Sequence, residues 1–315
     1  MNWIILTIFR MLAWFMARVL KPRRSIALGR ALGTFVFYCL PIRRRIVLDG
    51  LRKAFPEKSD TERWKIAHDC YRNLGRVFAE TVFLPALSAE EISKLVRLRN
   101  FELIDSILAE GKGLIFCMAH MGNWELIGFE GHRRGYDVYA ITKKLSGRVN
   151  DLVHASRKMI FKELPPRDSF ERGVEVLTAE KAALALIIDQ HRSGDKAVVV
   201  SFLGRPAATS PSPALFHLKT GAPVVTAWMT LGEDDVYDIW TRGPYPVPEA
   251  ATLAERLQLH TQWLASDLEE FIRARPSEWY WVHRRWKVPD STPVPKPAVK
   301  LESPPMPPLR TKDAA

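Results

Sequence analysis

An apolar run that stops abruptly at a histidine constrains this chain more than any other feature. Residues 114–119 (Leu-Ile-Phe-Cys-Met-Ala) are apolar throughout. Such a run marks a strand buried on both faces, and strands of that kind belong to parallel sheets covered by helices. It follows a Gly-Lys-Gly turn at 111–113 and ends at His120, after which helical spacing takes over through Trp124, Leu126, Ile127 and Phe129. Open α/β sheets bind ligands at the carboxyl ends of their strands. His120 stands at such an end.

The rest of the chain extends the same architecture. Strand-like runs at 96–99, 137–142, 183–188, 198–203 and 224–231 alternate with helical stretches at 102–110, 149–162, 170–179 and 211–220. Residues 236–241 read as an antiparallel partner at the edge. Residues 44–96 read as helices, one of them capped by Asp60, and a long helix covers about 253–273. Together these predict an α/β fold: a mostly parallel mixed sheet covered by helices.

The two ends differ from this body. The first twenty residues are mostly apolar, interrupted by Arg10, and no small-residue cleavage site follows them. At about 1.5 Å per residue they are long enough to cross or embed in a bilayer if Arg10 snorkels. The basic cluster at 21–24 and the run Arg43-Arg44-Arg45, which closes a second apolar segment at 26–42, fit a cytoplasmic placement against anionic headgroups. The expected organisation is a membrane-associated helical segment at 1–42, an α/β domain at 43–288 and a proline-rich disordered tail at 289–315. Two core helices of a soluble domain are the alternative for the first segment. A net charge of +11 calls for an anionic partner: a membrane surface, a phosphorylated lipid, an acidic protein or nucleic acid. The three cysteines are isolated, without metal-ligand spacing, and point to a reducing compartment.

His120 and Glu125 are five apart, so on one continuous helix they would point roughly 140° away from each other. They meet only if His120 lies on the loop before the helix and Glu125 in its first turn, which the Gly122-Asn123 pair permits. The expected chemistry is His120 as general base with Glu125 fixing its tautomer, and free N–H groups at the helix start for an oxyanion. The alternative is a loop histidine beside a helix-terminal glutamate with no shared chemistry. No Gly-x-Ser-x-Gly elbow, phosphate-binding Gly-x4-Gly-Lys loop, dinucleotide fingerprint or paired-histidine metal spacing occurs, so neither metal nor cofactor is expected. The ending Trp279-Tyr-Trp-Val-His-Arg-Arg-Trp-Lys287 mixes basic and aromatic groups in a way compatible with nucleic acid. The absence of a nucleic-acid motif and the apolar amino terminus argue against that partner.

In order along the chain, several motifs resemble those of the lipid A late acyltransferases, a branch of the His-x4-Asp/Glu acyltransferases. They are Phe55-Pro-Glu57 before a long helix, Ala119-His-Met-Gly-Asn-Trp-Glu-Leu126, Arg157, Asp189-Gln190, Phe202-Leu-Gly-Arg-Pro-Ala-Ala-Thr209, Thr220-Gly-Ala-Pro-Val224 and the ending at 279–287. The likeness spans roughly 1–288. It implies a glycerol-phosphate-acyltransferase-like fold at the bacterial inner membrane, with the catalytic domain facing the cytoplasm. It also implies cofactor-free transfer of an acyl chain from a thioester of acyl carrier protein, or acyl-CoA, to a hydroxyl of a lipid A precursor, an anionic phosphoglycolipid. His120 and Glu125 are then catalytic. Asn123, Arg157, Asp189, Gln190 and Arg205 bind substrate, Arg157 by way of an anion or the acyl carbonyl.

Glu125 replaces the aspartate usual in glycerolipid acyltransferases, and no Phe-Pro-Glu-Gly follows His120, which separates the two branches. Asp49-Gly-Leu51 and Leu203 depart from the family pattern at positions that bear on donor or acceptor preference. The rival readings are an acyltransferase for another glycolipid or aminolipid and, from a different class, a non-catalytic membrane-surface scaffold.

Overall fold

The computed structural model describes residues 11, 15, 19–20, 22–84, 87–142, 157, 160–164, 169–232 and 234–294. The chain begins with helices α1 (Pro22–Cys39), α2 (Arg44–Ala54) and α3 (Asp60–Phe83). Glycines let α1 and α3 touch backbone to backbone: a Cβ on Gly29 would lie 2.3 Å from the Gly75 carbonyl oxygen, and one on Gly33 2.1 Å from that of Tyr71. Helix α3 is capped by Ser59, one residue before the expected Asp60. The Ser59 side chain accepts from the Glu62 N–H, while the Glu62 carboxylate accepts from the Ser59 backbone.

Strands and helices then alternate: α4 (Ala89–Ser93), β1 (Val96–Arg99), α5 (Glu102–Ala109), β2 (Leu114–Met118), α6 (Glu125–Arg133), β3 (Val138–Ile141), β4 (Lys162–Leu164), α7 (Ser169–Thr178), β5 (Ala183–Ile187), β6 (Val198–Phe202), β7 (Arg205–Thr209), α8 (Ser212–Thr220), β8 (Val224–Leu231), β9 (Tyr237–Tyr245) and α9 (Leu253–Ala274). Seven strands form one sheet in the order β1-β9-β8-β2-β5-β3-β4, and every neighbouring pair is parallel except β8 with β9. The expected α/β architecture is present. All five residues of β2 are buried, and they alternate between two cores. Ile115 and Cys117 join the core that α9 covers with Leu264, Leu268 and Phe271. Leu114, Phe116 and Met118 join the one that holds Ile104 of α5 and Leu126 and Ile127 of α6.

Three expectations need correction. The antiparallel strand β9 is not the edge, because β1 pairs outside it. Strand β6 leaves the main sheet and pairs with β7 in a hairpin, whose free edge is closed by side chains of α9. Gln262 both accepts from the Ser201 N–H at 2.8 Å and donates to its carbonyl at 3.0 Å, and Glu269 accepts from the Leu203 N–H at 2.6 Å. Finally, the helix after His120 starts at Glu125 and not at Met121. Most of the helix expected at 149–162 lies outside the described residues, and Lys162 opens β4.

Residues 1–10, much of the expected anchor, also lie outside the described residues, as does the tail beyond 294. Among the described residues no single helix is long and apolar enough to cross a membrane. Helices α1 and α2 satisfy length and composition only as a pair, bent by 91°. Ser25, Ile26, Gly29, Gly33 and Phe37 of α1 are buried, whereas Phe35 and Tyr38 are exposed.

Candidate active site

Strand register builds the site. Strands β2 and β5 are parallel neighbours with Met118 opposite Ile187. Two residues on, both strands have ended and His120 meets Asp189. The His120 Nδ1 lies 2.8 Å from Asp189 Oδ1, and the His120 backbone N–H donates to Oδ2 at 2.9 Å. The carboxylate is 1 % exposed and the imidazole 21 %, so the acid is sunk beneath a ring that reaches solvent. Burial opposes the charge on Asp189, yet the His120 ring, the Trp279 indole and the His120 N–H together hold its carboxyl below the ordinary aspartate value. An ionised carboxylate can only accept, so Nδ1 carries the ring proton and Nε2 the lone pair.

This corrects the expected partnership. Glu125 does not supply the carboxylate on the imidazole. It opens α6, and its side chain takes Arg157 in a bidentate pair: Nη2 donates to Oε1 at 2.6 Å, and Nε to Oε1 at 3.0 Å and Oε2 at 3.3 Å. Both groups are mostly shielded, at 12 % and 19 % exposure. Trp124, just before Glu125, sets its ring edge-on to His120 with centroids 4.8 Å apart. The expected loop-to-helix junction between His120 and Glu125 is present, with Gly122 at φ 58°, a left-handed conformation that favours glycine. Of the N–H groups at the helix start, Leu126 donates to the Asn123 carbonyl and Ile127 to that of Trp124.

The other predicted residues divide. The Gln190 amide nitrogen lies 3.4 Å from His120 Nδ1, at the site. Asn123 is fully buried behind the loop, and its amide donates to Glu80 Oε2 at 2.9 Å. Glu80 also accepts from Tyr237 Oη at 3.0 Å and Arg76 Nε at 2.5 Å, so Asn123 anchors the His120 loop to α3 and β9. Arg205 sits at the far tip of the β6–β7 hairpin. It donates to Asp290 at 2.6 Å and, with Lys53, Glu57 and Arg273, lines a cavity of about 420 Å³.

The carboxy-terminal aromatic segment, which its sequence marks only by its mix of basic and aromatic groups, reaches the site. Met121 forms an antiparallel bridge with Trp279, the Tyr280 N–H donates to the His120 carbonyl at 3.0 Å, and the Gly122 N–H donates to the Glu278 carbonyl at 3.0 Å. The Trp279 indole donates to Asp189 Oδ2 at 2.6 Å. Arg285, 1 % exposed, donates to the carbonyls of Gln190 and Ala208 and to the Thr209 hydroxyl. Burial pulls its guanidinium down to about 10 against the attraction of Asp189. The signal available in sequence was the density of indole and guanidinium donors in nine residues.

The arrangement can take a proton at Nε2 and hold the resulting imidazolium against a buried anion. The buried cysteines offer no nucleophile: burial pushes the Cys70 thiol up to about 12 and that of Cys117, three residues before His120, well above its ordinary value. Among the described residues no His, Cys, Asp and Glu cluster is arranged to hold a metal ion.

The model of the bacterial lipid A biosynthesis acyltransferase family matches residues 2–288. Phosphatidylinositol mannoside acyltransferase of Mycolicibacterium smegmatis is 26 % identical over 220 residues, covering 67 % of this chain and 69 % of the relative. The protein of the same name from Mycobacterium tuberculosis is 23 % identical over 223 residues, 67 % of each chain. With the family match running through both site strands and the aromatic ending, this chain belongs to the bacterial lipid A biosynthesis acyltransferases.

Proposed function

We propose that this acyltransferase moves a fatty acyl chain from an acyl thioester, carried by acyl carrier protein, to a hydroxyl of a lipid A precursor. The hydrogen bond from His120 Nδ1 to Asp189 carries this reading, because it leaves Nε2 as a base at the mouth of the site. Nε2 takes the proton of the acceptor hydroxyl as that oxygen attacks the thioester carbonyl. The tetrahedral intermediate then collapses: the C–O bond stays, the C–S bond breaks, and the imidazolium returns the proton to the leaving sulfur. Asp189 stays ionised throughout and stabilises the imidazolium. No acyl-enzyme is needed. Arg157, fixed by Glu125, meets the anionic acceptor or the acyl carbonyl, with Gln190 beside the ring; Asn123 and Arg205 act at a distance from the reacting atoms.

The net charge of +11 suits both an acidic carrier protein and an anionic phosphoglycolipid. Exposed Phe35, Tyr38, Leu40 and Ile42, beside Arg43 and Arg45, support attachment to the cytoplasmic face of the inner membrane. A second reading, in which the acceptor is another glycolipid, is favoured by the similarity to phosphatidylinositol mannoside acyltransferases.

Mass spectrometry of lipid extracts from cells with and without the gene tests both. Lipid A lacking one secondary acyl chain supports the first reading. Intact lipid A with a chain missing from another glycolipid moves the assignment to the second. Unchanged lipids overturn both.

A further inference from the structure

The segment from Glu278 to Arg285 touches both loops that carry the His120–Asp189 pair. The Asp189 carboxylate has two oxygens, and each has its own donor set. Oδ1 faces the imidazole, while Oδ2 takes the His120 N–H at 2.9 Å and the Trp279 indole at 2.6 Å. Trp279 is itself immobilised. It is 3 % exposed, its ring stands edge-on to Trp281 at 4.6 Å, and its carbonyl accepts from the Cys70 thiol at 3.3 Å. A rigid donor on Oδ2 stops the carboxylate from rotating and so aims Oδ1 at Nδ1.

We propose that Trp279 is a positioning residue for acyl transfer: its indole N–H holds Asp189 in the rotamer that keeps His120 protonated on Nδ1 and basic on Nε2. The inference rests on the general-base reading of His120. Arg285 and His283 face Asp189 from the same segment, and Gln190 faces the ring from β5's loop. The Glu125–Arg157 pair lies next to Trp124. None of these replaces the indole on Oδ2 among the described contacts.

The test compares wild type with Trp279→Phe, which keeps an aromatic ring and removes the donor. Loss of a hydrogen bond to a charged group predicts a fall in kcat of about tenfold, with KM for both substrates changed by no more than about twofold. The acid limb of the kcat/KM profile moves to lower pH, because a carboxylate no longer aimed at Nδ1 stabilises the imidazolium less. A residue that only packs would lower activity without moving that limb, and such a result overturns the proposal, as does unchanged kcat. If Trp279→Phe does not fold, benzothienylalanine at position 279 removes the N–H while keeping the shape of the indole, and the same outcomes apply.

Nitrogen-15 NMR of His120 supplies a readout that needs no acyl transfer. Wild type shows the Nδ1-protonated tautomer and the variant a mixture; an unmixed Nδ1 tautomer in the variant also overturns the proposal. Failure of wild-type acyl transfer with the tautomer intact would count against the proposed function and not against Trp279.

Discussion

At the scale of single residues, two carboxylates lie within reach of the His120 loop, and they hold different partners. Asp189 holds the ring and Glu125 holds Arg157. Their variants therefore behave differently. Asp189→Asn can offer an N–H to Nδ1, which moves the ring proton to Nε2 and removes the base. Initial rates of acyl transfer should fall by about 10²–10⁴-fold, as they should for His120→Ala. Glu125→Gln leaves the tautomer alone and loosens Arg157. In a double-mutant cycle with Arg157→Met, urea unfolding should give losses that fall short of additivity by about 0.5–3 kcal/mol. Additive losses would mean that the pair makes no net interaction. Nothing in the local sequence chooses Asp189 over Glu125 as orienter, because 69 residues separate it from His120 and only strand order joins them. Each residue was legible as the end of an apolar run; their adjacency was not.

At the scale of elements, the strands with the plainest apolar runs were legible almost to the residue, β2 and β8 among them. Burial on both faces leaves a mark that local sequence carries. What failed was the order of neighbours. Strand β9 looks like an edge and is covered by β1, and β6 looks like a sheet strand and is completed by α9 side chains. Helices α8 and α9 are joined by a contact that no periodicity reveals: His217 Nδ1 lies 2.7 Å from His260 Nε2, in a fully buried setting at His260. Burial, followed by the neighbouring His217, pulls His260 down to about 4 from 6.5, and burial lowers His217 as well. Between those two values the unfolded chain binds more protons than the folded one, so stability drops as pH falls. The contribution is fully present above pH 6.5 and lost by about pH 4. For His260 it is on the order of 3 kcal/mol. Urea unfolding at pH 7 and at pH 4.5 should show wild type losing more stability than His260→Asn; equal losses would mean that this pair does not carry the acid sensitivity.

At the scale of the whole molecule, the site of an acyltransferase of this family must meet an acyl donor and a lipid acceptor. The 91° corner between α1 and α2 offers a way to do so. One face of α1 is locked to α3 through Gly29 and Gly33, so the helix cannot leave the body without breaking that packing. At the corner Leu40 is 48 % exposed and Ile42 62 %, and Arg43 donates to the Val282 carbonyl at 2.9 Å, within the segment that carries Trp279. A bilayer touching the corner is therefore coupled through one arginine to the segment that holds Asp189. With about half of each side chain still open to burial, Leu40 and Ile42 sunk together into lipid would contribute about 2 kcal/mol, or roughly thirtyfold in affinity. The doubly substituted protein, Leu40→Ser with Ile42→Ser, should lose about that much in sedimentation with vesicles containing anionic phospholipid, and binding of both proteins should weaken as salt is raised. Equal partitioning of the two proteins would remove the corner from the membrane contact and leave that contact to residues before α1.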